Sequence, residues 1–270
     1  MSEPDPGTEH DIRPTMSGPP IFVVGCHRSG TTLFRLILDS HPHISCGPET
    51  RFLADLEKIT DAENWPRMEL YGFPKEYWHA KVAELFDGFK TDYAHSHGKS
   101  RWADKTPRYA LSLDYILELF PACQIIHVIR DGRDVVVSHR HRWGYVSALK
   151  AVEKWSRYIR TARAVGQSLP PGHYHEVRYE RLVADPEATL RALLDFLGEP
   201  WDPAVLEHDK RPHDVPERYL AFASSRRVAS AERPPIYRSR VGSGHKELDP
   251  LLKLLVKVLA GRTLKELGYR

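Results

Sequence analysis

The sequence predicts an α/β fold, a parallel sheet flanked by helices, and two stretches carry that prediction. The apolar run "PIFVVG" (Pro20–Gly25) enters a glycine-rich turn and leaves it as the amphipathic "TTLFRLILDS" (Thr31–Ser40). A strand, a tight turn and a helix in that order open an α/β unit. A second run, "CQIIHVIR" (Cys123–Arg130), repeats the pattern and passes straight into "DGRDVVVSHRHRWG". Both runs are short, and unbroken apolar runs suit strands covered on both faces.

The other elements follow in chain order. Residues 1–18, "MSEPDPGTEHDIRPTMSG", are polar, acidic and proline-containing, which predicts a disordered leader rather than a signal peptide. The helix after the first strand stops before Pro42. "PRYALSLDYILELF" (Pro107–Phe120) predicts one amphipathic helix with proline in its first turn. Residues 146–165 place Val146, Leu149, Val152, Trp155 and Ile159 at helical spacing. "HYHEVRYERL" (His173–Leu182) predicts a further strand running into a turn. In "DPEATLRALLDFLG", Asp185 is the cap, Pro186 the first helical residue and Gly198 the stop. The tail from Leu248 to Leu267 predicts a surface helix turning Leu251, Leu252, Leu255 and Leu259 inward. From Lys210 to Lys246 an Arg- and Ser-rich stretch lacks periodicity and predicts an active-site lid or loop. With no internal repeat, residues 19–270 read as one domain.

Composition narrows the function classes. Hydrophobic residues at 41% and charged residues at 28% are ordinary for a soluble globular chain. A net charge of +3, without interleaved aromatic and basic residues, argues against a nucleic-acid binder. Three cysteines without CxxC spacing argue against a disulfide framework or zinc knuckle and fit a reducing compartment. No apolar run approaches the ~20 residues of a membrane span. The expectation is a cytoplasmic protein, with monomer and homodimer both open.

The turn "VGCHRSGTT" has the spacing of a P-loop, Gly25 and Gly30 with four residues between them. Such a turn aims backbone N–H groups and a helix N-terminus at one point, and Ser29, Thr31 and Thr32 add hydroxyl donors. A nucleotide triphosphatase would follow Gly30 with Lys and then Ser or Thr, and would hold Mg²⁺ through an aspartate at a strand end. Here Gly30 is followed by two threonines, the loop's cation is Arg28, and the second strand ends in Arg130. This is a cradle for a phosphate without magnesium, suited to transfer of a group less charged than phosphoryl. Arg130, Ser138 and Arg142 form a second candidate anion site, because positions 138 and 142 share a helix face. Two anion sites on one sheet suggest a nucleotide phosphorylated at two positions.

"RSGTT" after a strand, with "RDGRDVVVS" about a hundred residues later, resembles the sulfotransferases that use 3′-phosphoadenosine 5′-phosphosulfate. In finer detail the chain resembles the tyrosylprotein sulfotransferases through "RSGTTLFRLILDSHPHISCGPETRF", "DKTPRYALSLDYILELFP", "VRYERLVADPEATLRALLDFLGEPW" and "RVGSGHKEL", over about residues 20 to 250. The resemblance implies the sulfotransferase fold and a 5′-phosphosulfate held by Arg28, Ser29, Gly30, Thr31 and Thr32. It implies a 3′-phosphate held by Arg130, Ser138 and Arg142, with Tyr179 on the nucleotide and Lys246 closing over it. Glu49 falls on the family's general base, Lys105 on a lysine that stabilises the transition state, and Ser230 near a serine that faces the transferring group. No metal is implied. The acceptor is a hydroxyl, either a small alcohol or phenol or a peptide tyrosine. Pro48 stands where the family has a first glutamate, and Glu247 replaces a tryptophan; both departures bear on the acceptor side, where Arg51 matches a groove residue.

Two other classes stay open at this point. A P-loop kinase would bind ATP with Mg²⁺, and a non-catalytic nucleotide-binding protein would not need Glu49 or Lys105. A metal site at His139 and His141 is disfavoured, because "HRHRW" lacks metal-protease spacing and partner carboxylates.

Overall fold

The computed structural model describes residues 16–214 and 241–269. Five parallel strands form one sheet: β1 (Ile21–Gly25), β2 (Ile44–Cys46), β3 (Arg101–Lys105), β4 (Gln124–Ile129) and β5 (Tyr174–Arg178). Their order is β2-β3-β1-β4-β5, with Val23 opposite Lys105 on one side of β1 and Gly25 opposite Val128 on the other. The chain crosses to opposite sides of β1 after leaving it, so a crevice opens beyond the carboxyl end of that strand, where α/β sheets bind ligands.

Helices cover both faces in chain order. They are α1 (Thr31–Ser40), α2 (Phe52–Leu56), α3 (Trp65–Met68), α4 (Lys75–Ser96), α5 (Leu113–Leu119), α6 (Gly132–Trp143), α7 (Tyr145–Gly166), α8 (Tyr179–Ala184) and α9 (Pro186–Leu197), followed after residue 240 by α10 (Ser243–Glu247), α11 (Pro250–Leu255) and α12 (Gly261–Glu266). Alternation along β1 divides the core. Ile21 and Val23 pack with Phe34 and Leu38 of α1 and Leu190 and Leu194 of α9. Phe22 and Val24 pack with Phe86 of α4, Ile116 of α5 and Trp155 of α7. Burying such side chains contributes roughly 1.5–3 kcal/mol each. Among the described residues no helix is long and apolar enough to cross a membrane.

The structure places several predicted elements as expected and corrects others. Asp185 caps α9 by accepting from the Ala188 N–H, and Gly198 ends it in the left-handed conformation. The expected helix over Pro107–Phe120 is broken at Ser112 into a 3-10 turn, Pro107–Leu111, and α5. In the tail a π turn at Val256–Ala260 advances the buried face in four-residue steps, through Leu252, Val256, Ala260 and Leu264. Of the four leucines predicted to face inward, Leu252 is buried and Leu255 is half-buried against the core, whereas Leu251 and Leu259 point outward, at 50% and 49% exposure. The predicted leader lies outside the described residues up to position 15. Met16 packs against the core and Ser17 bonds Ser100. The predicted lid lies outside them from 215 to 240.

β3 escapes a hydrophobicity reading because three of its five residues, Arg101, Asp104 and Lys105, are charged, yet all are buried. Each finds a partner: Arg101 pairs with Glu199 at 2.9 Å, Asp104 with Lys90 of α4 at 2.6 Å, and Lys105 with Glu49 at 2.7 Å. Buried charges persist only when compensated in this way.

His127 of β4 is fully buried with Nδ1 2.6 Å from the Tyr174 hydroxyl, and burial pushes its pKa down to about 3. The unfolded chain takes up this proton near pH 6.5 and the folded chain does not. Its contribution to stability is therefore complete above about pH 6.5 and is lost as the pH falls toward 3, by up to about 1.4 kcal/mol per pH unit. Chemical denaturation at pH 7, 6 and 5 should show this decline, and His127→Gln should make it shallower, leaving the share of His27 and His139, whose pKa values burial also lowers.

Candidate active site

The turn after β1 is built by backbone conformation. Arg28 and Gly30 both take left-handed φ, 75° and 98°. At Gly30 a Cβ would lie 2.5 Å from the Tyr179 ring, so glycine is required where α8 closes on the loop. The Ser29 side chain is fully buried, and among the described residues its Oγ has no hydrogen-bond partner. A buried hydroxyl left in this way in a turn ending at a helix N-terminus fits an oxyanion ligand. Thr31 is buried at the first position of α1, and Thr32 follows it exposed.

Across β1's other neighbour stands a carboxylate–ammonium pair. Lys105 Nζ donates to Glu49 Oε2 at 2.7 Å, and their side chains are 6% and 20% exposed. Lys105 ends β3 level with Val23, so the sheet itself brings it toward the loop. Glu49 lies in the irregular stretch between β2 and α2, and two side chains fix that stretch. Arg35, buried on α1, donates through Nε to the Cys46 and Gly47 carbonyls at 3.0 and 2.9 Å, and through Nη2 to the Asp214 carbonyl at 2.5 Å. On the far side the Tyr109 hydroxyl accepts from the Leu53 N–H at 3.0 Å. Arg51, between them, takes a left-handed φ of 60° and is exposed.

The residues of the second candidate anion site gather around the end of β4. Arg130 is buried, its guanidinium 4.6 Å from the centre of the Tyr179 ring. Ser138, on α6, accepts from Arg28 Nε at 2.9 Å, and Arg28 also lies 5.7 Å from the Trp143 ring centre. Arg28 therefore links the loop to the second site rather than standing apart from it. Arg142 occupies the last turn of α6, one turn beyond Ser138, and is partly exposed; Lys246 is exposed on α10. Ser230 lies outside the described residues.

Three features were not legible in the sequence. Arg35 sits on the apolar face of α1, and a cation at a core position was its one available signal. His27 is held neutral: burial first, then the charges of Lys154, His139, Lys105 and Arg51, push its pKa down to about 3. Burial raises the pKa of the nearby Tyr158 phenol against the opposing pull of Arg108, Arg157 and Arg51. Positive charge therefore dominates the surroundings of His27 and Tyr158, whose rings lie 6.0 Å apart.

Of the histidines in "HRHRW", His139 bonds Ser147, while His141 does meet a carboxylate, Glu247, at 2.9 Å. A different trio, His41, His43 and Glu199, has ligand atoms within 4.8 Å of one another. The His41 nitrogens are engaged by the Pro200 carbonyl and the His43 N–H, and Glu199 by Arg101 and His43, which describes a hydrogen-bonded knot.

Comparison with known proteins fits this geometry. The family model described as "Sulfotransferase family" matches residues 19–203. The chain belongs to the sulfotransferase family. It is 32% identical over 215 residues to a Drosophila melanogaster protein-tyrosine sulfotransferase, covering 73% of this chain and 42% of that one. The chain spans about half the length of the curated relatives it matches. Among solved structures, the sulfotransferase domain of the curacin biosynthetic pathway superposes with a TM-score of 0.64 at 21% identity, covering 95% of this chain and 99% of that one. The sulfotransferase domain of the Synechococcus PCC 7002 olefin synthase gives 0.62 at 23% identity, covering 91% and 96%. These likenesses establish the shared fold.

Tyr109→Phe removes the acceptor of the Leu53 N–H while keeping the ring. Urea denaturation should show a loss of about 1–3 kcal/mol, the cost of a buried amide left without a partner.

Proposed function

We propose that the chain transfers a sulfuryl group from 3′-phosphoadenosine 5′-phosphosulfate to a hydroxyl acceptor, leaving adenosine 3′,5′-bisphosphate. The observation that carries this is the Glu49–Lys105 pair standing at the same carboxyl edge as a phosphate loop that has Thr31 at the triphosphatase lysine's position and Arg28 as its cation. When bound, the co-substrate supplies an activated sulfuryl group. Ser29, Gly30, Thr31 and Thr32 would hold its 5′ end, and Arg130, Ser138 and Arg142 its 3′-phosphate, with Arg28 reaching both and Tyr179 beneath.

In this reading Glu49 takes the acceptor proton as the new oxygen–sulfur bond forms. A carboxylate has acceptor capacity beyond the one bond that Lys105 uses. Lys105 and Arg28 offset the charge gathering on the bridging oxygen as the old sulfur–oxygen bond breaks; fixed cations in a water-poor site commonly contribute several kcal/mol. Lys246 approaches from α10, and Ser230 is assigned to the transferring group by resemblance alone.

The acceptor we favour is a phenol in an anionic setting, including the tyrosine named for the Drosophila relative, because the positive charges of Lys154, Lys105, Arg51, Arg108 and Arg157 act on His27 and on the Tyr158 ring beside it. Pro48, in place of a carboxylate, equally suits a small phenol. A cytoplasmic location belongs to the same proposal. Cys26, Cys46 and Cys123 are free and buried, and burial raises each thiol to about 12.

Calorimetric titration tests the donor. Adenosine 3′,5′-bisphosphate should bind in EDTA, far more tightly than ATP with Mg²⁺ binds. Arg130→Ala should weaken the bisphosphate about tenfold or more, about 1.4 kcal/mol, while 5′-AMP changes little. A preference for ATP with Mg²⁺ would support the kinase reading instead.

A further inference from the structure

The sequence assigns roles to Arg130 and Lys246 but none to the residue that joins them. Asp134 lies in the first turn of α6, 1% exposed. Its Oδ2 accepts from the Gly242 N–H at 2.9 Å and faces Arg130 Nη2 at 3.5 Å. Its Oδ1 accepts from the Gly244 N–H at 2.7 Å and the Ser243 hydroxyl at 3.3 Å. Four donors fill the capacity of a carboxylate, which is how a buried negative charge is tolerated. Three of the four come from the turn that begins α10, the helix carrying Lys246.

The approach of that turn is close. A Cβ at Gly244 would lie 2.3 Å from the Arg133 Cβ and 2.9 Å from the Asp134 nitrogen, so glycine is needed for α10 to seat on α6 at all. Gly242 takes a left-handed φ of 78°, which turns its N–H toward the same carboxylate. "VGSGHK" is therefore a docking sequence for Asp134, and its product is the location of Lys246 two residues beyond Gly244.

We propose that Asp134 is a positioning residue for the nucleotide: it fastens the Lys246 segment to the arginine that takes the 3′-phosphate, so that both cations meet the ligand as one unit. This rests on the donor assignment made above. Removing the carboxylate strips the Gly242 and Gly244 amides of their acceptor and breaks the contact that couples Arg130 to the α10 turn. A residue that only held the fold together would weaken all ligands alike, whereas this role predicts a loss confined to ligands bearing a 3′-phosphate.

The test is calorimetric titration of adenosine 3′,5′-bisphosphate and of 5′-AMP against wild type, Asp134→Ala and Asp134→Asn, with thermal melting to check folding. Asp134→Ala should lose about tenfold or more in bisphosphate affinity, with 5′-AMP changed by less than about threefold. Acetylation of Lys246 by an amine-reactive reagent, read by mass spectrometry, should be slowed by the bisphosphate in wild type and not in the variant. Should Asp134→Ala fail to fold, Asp134→Asn decides. It keeps the shape and the Oδ1 contacts but sets an amide against Arg130 and the Gly242 N–H, and it should still lower the bisphosphate-to-AMP ratio. A folded variant with that ratio unchanged or raised overturns the role of Asp134 and leaves the donor assignment standing. A wild type that does not prefer the bisphosphate overturns both.

Discussion

A lysine at the end of a buried strand must find a negative partner or lose its charge, and in this chain that requirement organises the reacting edge. Lys105 is 5% exposed, and its partner Glu49 comes from a stretch with no regular structure of its own. Desolvating two charges costs several kcal/mol, offset only by good geometry. Much of the surrounding structure supplies that geometry. Arg35 clamps the carbonyls before Glu49 and Tyr109 holds the amide after it, while β1–β3 pairing sets the level at which Lys105 leaves the sheet. In the proposed reaction a base assembled in this way would be preorganised before any acceptor arrives.

The two candidate anion sites are less separate than their distance in sequence suggests. The Arg28–Ser138 bond spans them, and Tyr179 touches both, pressing on Gly30 with its edge while Arg130 stands over its face. Gly30 and Arg130 come from strands β1 and β4, which are neighbours in the sheet. A ligand with phosphates at two positions would meet a surface already joined from beneath. Asp134 extends the same connection to the Lys246 segment.

Legibility in the sequence followed chemistry. β1 and β4 could be read because their apolar runs have no other use, and the loop because its glycine spacing is strict. β3 could not: Arg101, Asp104 and Lys105 read as loop residues, and only their partners Glu199, Lys90 and Glu49, each at least 14 positions away, make them buried strand residues. The tail was legible as a helix, and Leu252 and Leu255 as inward residues, but Leu259 falls in a π turn, which shifts register without any marker in the side chains. Glu49 and Lys105 were named by resemblance, and their contact is a fact of the fold alone. Arg35 escaped because its partners are backbone carbonyls, and Asp134 because two of its four donors are backbone amides more than a hundred positions away, to which no sequence pattern points.

The account rests on Glu49 and Lys105 acting as one unit in the transfer step. Its most direct measurement is a double-mutant cycle of Glu49→Gln and Lys105→Ala, reading release of adenosine 3′,5′-bisphosphate from 3′-phosphoadenosine 5′-phosphosulfate with a phenol acceptor in excess. Each single change should cost roughly 10²–10⁴ in turnover, and the double variant little more than the worse single one, as groups acting together do. Losses that multiply, or a Glu49→Gln variant that keeps its turnover, would contradict it.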